Sequence, residues 1–154
     1  MPKILLAVPH LRQRDESDCL PACAQMVLVH LSHDVPYERL LKVLGTRGFG
    51  TPAENILRLD QLGVRVTLEE LSPPQILDHL HHGRPVIAFV RTADLPYWSL
   101  EVDHAVVVVG IDEEAEVIYL NDPAMQEAPQ AVPLAALELA MQRFDYRCAI
   151  IQPL

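Results

Sequence analysis

Three observations predict an α+β fold with N-terminal helices packed on a C-terminal antiparallel sheet. Glycine-terminated amphipathic stretches dominate the first half of the chain, and runs rich in Val and Ile dominate the second. Two of those runs are joined by Asp112–Glu116, a link short enough for an antiparallel hairpin. Helices clustered first and strands afterwards do not fit a doubly wound parallel sheet.

Each element has its own punctuation. Asp18 is placed to cap a helix from Cys19 to about Leu31, with Leu20, Cys23, Ala24, Val27, Leu28 and Leu31 on one face. Pro36 opens a short helix, Tyr37–Leu44, which Gly45 closes. Thr51-Pro52-Ala53-Glu54 has the spacing of a capping box and starts a helix to Leu62 that Gly63 stops. Ser72-Pro73-Pro74-Gln75 repeats the device, and Gly83 ends that helix. Strands are expected at Val64–Leu68, Pro85–Arg91, His104–Ile111, Val117–Asn121 and Arg147–Gln152, with a last helix at Pro133–Arg143.

At 154 residues, half of them hydrophobic, residues 1–154 are expected to form one domain that needs no disulfide or metal to hold its core. Twelve basic and 21 acidic side chains leave a net charge of −9, which repels a phosphate backbone, so nucleic acid is not an expected partner. Three cysteines, an odd number, point to reduced thiols and a cytoplasmic location. The apolar stretch Ile4–Pro9 is too short for a signal peptide, and no run approaches a membrane span, so direct membrane insertion is not expected.

Two residues stand out as carriers of chemistry. Cys19 opens a predicted helix, where unpaired N–H groups and the helix dipole favour a thiolate. Gln13, six residues upstream, supplies an amide donor able to fold back and bind a developing oxyanion together with the Cys19 N–H. The plainer reading of Cys19 is a small buried hydrophobe. His104 opens the run His104-Ala105-Val106-Val107-Val108-Val109, and a histidine at a strand end is commonly structural. If Ile111 pairs with Val117, however, Val106 faces Asp122, and His104 and Asp122 become diagonal neighbours on one face. A register slipped by one would separate them.

Cys19, His104 and Asp122 occur in the order used by papain-like peptidases. Gln13, Asp18-Cys19-Leu20-Pro21-Ala22-Cys23, Gly83-Arg84-Pro85-Val86-Ile87, the His104 run and Asn121-Asp122-Pro123 together resemble the bacteriocin-processing cysteine peptidases. These papain-like domains trim double-glycine leader peptides at the front of peptide-exporting ABC transporters. The resemblance covers roughly residues 8–152. It implies Cys19 as nucleophile, His104 as general base and acid, Asp122 as orienting carboxylate and Gln13 as oxyanion donor. It also implies a peptide or protein substrate, no cofactor, and a transporter that would be a separate chain, since no phosphate-binding loop is present. Leu20 departs from the family, which usually has glycine after the nucleophile, and is expected to reshape the glycine-accepting subsites.

Two alternatives stay open. The same triad serves acyl transfer or amide hydrolysis on other substrates, and a papain-like cleft also suits a non-catalytic module that recognises a leader peptide or a protein. The other reactive side chains read as structure. Cys23 and Cys148 suit the core, His79, His81 and His82 a helix end, and Asp112–Glu116 a solvated turn. The glycines at 45, 48 and 50 follow no dinucleotide pattern. Tyr97 and Trp98 lie in a loop before His104, either covering bound peptide or packing the loop down.

Overall fold

Every strand pairing in the computed structural model, which describes residues 3–154, is antiparallel. The strands are β1 (Ile4–Leu5), β2 (Val64–Glu70), β3 (Val86–Arg91), β4 (Asp103–Asp112), β5 (Val117–Asn121), β6 (Gln130–Pro133) and β7 (Arg147–Pro153). They lie in the order β2-β7-β3-β4-β5-β6, with β1 on the end of β4 that β3 leaves uncovered. The α-helices are α1 (Cys19–His30), α2 (Tyr37–Leu44), α3 (Pro73–His81) and α4 (Leu134–Gln142).

The predicted α+β class holds, and helices cover both faces of the sheet. Residues of α1 and α2 bury Leu20, Met26, Leu28, Leu40 and Leu44 against Ile87, Phe89, Val107 and Ala149. On the other face Ile76, Leu80, Leu137 and Met141 from α3 and α4 pack on Val86, Ala88, Val106, Val108 and Ile150. Period-two alternation explains this: strands buried on both faces read as continuous Val and Ile runs. Cys23 and Cys148 are fully buried, as their core reading requires.

Four local expectations are corrected. Asp18 makes no side-chain cap to α1; its carboxylate instead accepts the Tyr37 hydroxyl at 3.0 Å, and it is 6% exposed. Pro21, in the first turn of α1, has no N–H to satisfy there, so the helix tolerates the missing cap. Residues Ala53–Leu62 form a 3-10 helix, not an α-helix, and the Thr51 hydroxyl pairs with that of Thr46 at 2.6 Å rather than closing a capping box. By contrast, the Ser72–Gln75 box forms, the Ser72 N–H donating to Gln75 Oε1 at 2.8 Å. Pro133 belongs to β6, so the last helix begins one residue later than expected. β1 and β6 were not expected at all.

The fourth correction concerns the β4–β5 hairpin. At its tip Asp112 faces Val117 and Ile111 faces Ile118, one residue off the expected register. A bulge between Val108 and Gly110 then shifts the pairing, so that Val108 faces Leu120 and Val107 faces Asn121. Beyond the bulge the register is the expected one. Ile111 accordingly joins the same apolar cluster as Val106 and Val108, despite its odd number.

Candidate active site

Asp122 follows β5 and is completely buried. Its Oδ1 accepts His104 Nε2–H at 2.7 Å and the Ala124 N–H at 2.9 Å. Its Oδ2 accepts the Tyr97 hydroxyl at 2.7 Å and Trp98 Nε1–H at 2.9 Å. Its backbone carbonyl accepts His10 Nε2–H at 2.8 Å. Burial alone would favour the neutral acid, but His104 and these donors outweigh it and hold the carboxyl below its usual range.

His104 is 7% exposed at the start of β4. Burial is the largest single influence and pulls its pKa down, yet the hydrogen bonds and charges of Asp122 and Cys19 together raise it to about 9. With Nε2 committed to Asp122, Nδ1 is the ring nitrogen left free to exchange a proton with Cys19. Trp98 stands against the ring edge-on, centroids 4.9 Å apart at 65°.

Cys19 is the first residue of α1 and is partly exposed, unlike Cys23 one turn on, whose thiol burial pushes well above its ordinary pKa. The helix packs on one face of the sheet, whereas Val106 and Val108, two and four residues beyond His104, pack on the other. Cys19 and His104 therefore meet at the end of β4, where the sheet no longer separates them. They share a cleft of about 350 Å³, walled mainly by Leu20, Phe49, Phe89 and Phe144. Phe49 stands at its mouth, 86% exposed on a turn closed by hydrogen bonds between Arg47 and Gly50.

Gln13 is brought near the site by its backbone N–H, which donates to the Pro123 carbonyl at 2.9 Å. Its side-chain Nε2 donates to the carbonyls of Asp15 and Glu16 at 3.0 and 3.4 Å, leaving Oε1 buried without a partner. The structure thus gathers Cys19, His104 and Asp122 and places the Gln13 amide on the adjoining loop. Sequence reasoning left the role of Tyr97 and Trp98 open and missed His10, whose partner lies 112 residues away. The available signal was chemical: buried Tyr and Trp side chains need acceptors, and a buried carboxylate needs donors. Among the described residues no cluster of His, Cys, Asp and Glu is arranged to hold a metal ion.

The sequence profile of the Peptidase_C39-like family matches residues 5–147. The chain belongs to that family. Among solved structures it is similar to a Bacillus anthracis protein described as C39-like, with a TM-score of 0.82 at 16% identity over 100% of this chain and 99% of that one. The double-glycine-motif protease of an AMS/PCAT transporter, solved with a leader peptide, superposes with a TM-score of 0.74 at 20% identity over 100% of both chains. The peptidase domain of Streptococcus ComA, a bi-functional ABC transporter, gives 0.75 at 19% identity, covering 94% of this chain and 97% of that domain. No curated protein matches the sequence. The fold of this C39-like chain is papain-like, as its sequence resemblance implied.

Proposed function

We propose that this chain is a cysteine peptidase that cleaves after a Gly-Gly-type leader, the carrying observation being the buried His104–Asp122 hydrogen bond at 2.7 Å with His104 and Cys19 lining one cleft. The Cys19 thiolate attacks the carbonyl carbon of the second glycine, and that carbonyl oxygen takes the negative charge. That oxygen is bound by the Cys19 N–H and by Gln13 Nε2, which leaves the carbonyls of Asp15 and Glu16 when substrate arrives. The His104 imidazolium gives its proton to the leaving amine as the C–N bond breaks, forming a thioester. Neutral His104 then takes a proton from water, whose oxygen displaces the thiolate and releases the leader acid. Asp122 keeps Nε2 protonated, so the reacting proton moves at Nδ1.

A raised His104 pKa supports this reading, because the base must hold a proton beside a thiolate at neutral pH. In this reading residues 1–154 act as one peptidase domain in the cytoplasm, on peptides destined for an ABC transporter. No helix among the described residues is long and apolar enough to cross a membrane.

Wild type and Cys19→Ala should bind a Gly-Gly leader peptide equally, and only wild type should cleave it, with the new carboxyl terminus at the second glycine by mass spectrometry. Equal binding with no cleavage by either protein sinks the peptidase in favour of a recognition module. Turnover of simple thioesters or arylamides in preference to the peptide favours an acyltransferase or amidase with the same triad.

A further inference from the structure

We infer that Tyr97 and Trp98 are positioning residues of the triad: the Tyr97 hydroxyl and Trp98 Nε1–H together hold Asp122 Oδ2, so that Oδ1 alone faces the His104 ring. This rests on the peptidase reading above. An aspartate carboxylate turns easily about its last torsion, which is broad. Here that freedom is removed, because each oxygen accepts two hydrogen bonds and none is left for rotation to satisfy. Both Oδ2 donors are neutral. They fix the carboxylate without a positive charge that would compete with His104 for it, as an Arg or Lys would.

The pair is itself held in place. Thr92 is fully buried, and its hydroxyl donates to the Leu100 carbonyl at 2.5 Å and accepts the Val102 N–H at 2.8 Å, pinching the base of the loop. Leu95 is 1% exposed and anchors the loop's middle in the core, and the Trp98 N–H donates to its carbonyl at 3.1 Å. Neither ring lines the cleft. Their contacts to the triad run through Asp122, to which both donate, and through the His104 ring, against which Trp98 stands.

The titratable groups facing the pair are Asp122, His104, Cys23 and the Tyr97 phenol itself. Burial and then the Asp122 charge push the phenol far above its ordinary pKa, so it remains a donor throughout the working range. Asp103, next to His104, is an exposed residue on the wall of the cleft and is paired with Arg91 at 2.8 Å.

The test compares wild type, Tyr97→Phe and Trp98→Phe, each alone and combined with Asp122→Ala, by leader-peptide kinetics and by the pH dependence of Cys19 alkylation with iodoacetamide. Tyr97→Phe removes the hydroxyl donor and keeps the ring, and Trp98→Phe removes the Nε1–H donor by exchanging the indole for a smaller phenyl ring. Each should lower kcat roughly tenfold with KM unchanged, as loss of aligned acid–base catalysis does. Removing a donor leaves more negative charge on Asp122 facing the ring. The alkaline step in the alkylation profile, set by His104, should therefore rise by about half a pH unit. In the Asp122→Ala background neither substitution should have any further effect. An unactivated thiol in wild type overturns the peptidase reading. An activated wild-type thiol with both variants indistinguishable from it overturns the positioning role alone, as does a fall in kcat that persists without Asp122. Should Tyr97→Phe fail to fold, Trp98→Phe carries the same comparison.

Discussion

Leu20 is where the chain departs from the pattern its sequence resembles, and the structure gives that departure a physical content. Its side chain is 2% exposed within the first apolar cluster while also forming part of the cleft wall. It is thus a core residue first, held by α1 and the sheet, and its volume cannot be withdrawn without leaving a void. Leu20→Ala should destabilise the fold by about 2–4 kcal/mol, the range for removing a buried leucine, measured by urea unfolding. Cys19 alkylation should keep its pH profile, because Leu20 makes no hydrogen bond to the triad. A stability loss under about 1 kcal/mol would mean that the surrounding side chains collapse into the space and that leucine there serves the substrate more than the core.

At the scale of elements, the hairpin shows why the site was partly legible. Val and Ile runs separated by Asp112–Glu116 identified β4 and β5, and the predicted face-sharing of His104 and Asp122 is what the structure shows. The reason differs, because the tip register is off by one and the bulge around Val109 restores it. No local sequence signal distinguishes these two routes; the bulge is fixed by tertiary pairing, where β1 lies alongside Gly110 and Ile111. A Cβ on Gly110 would collide with the Ile4 carbonyl and press on Leu5 at 3.0 Å, so only glycine lets β1 approach. Gly110→Ala should cost about 1–3 kcal/mol, typical of overpacking, with amide exchange at Leu6, whose N–H donates to Val109, rising most. Unchanged exchange at Leu6 would show that β1 does not depend on the glycine. The two-residue β1 was itself unreadable for the same reason: it is a strand only because β4 is there to pair with it. Asp18 illustrates the converse, a cap signal overridden because a buried tyrosine hydroxyl, from α2, competes for the carboxylate.

For the whole molecule, the coupled pair at the end of the sheet ties stability to pH with a definite sign. His104 titrates near 6.5 when unfolded and at about 9 when folded. Its raised value means that the folded state binds the proton more tightly, so the stabilisation is fully present below about pH 6.5 and disappears as pH rises through about 9. Asp122 has the opposite shift, a folded pKa below its ordinary 3.8. Its contribution is present above that value and is lost as pH falls through the lower folded one. Together they define a window from roughly pH 4 to 6.5 in which the pair stabilises most. The net charge of −9 adds self-repulsion that grows with pH in any variant, so the pair must be isolated by difference. The gap in Tm between wild type and His104→Gln should be widest near pH 6 and narrow steadily between pH 7 and 10, because glutamine cannot lose the proton that wild type loses. A gap that stays constant across that range would place the folded His104 pKa near its unfolded value, and with it would go the imidazolium that the proposed chemistry uses to protonate the leaving amine.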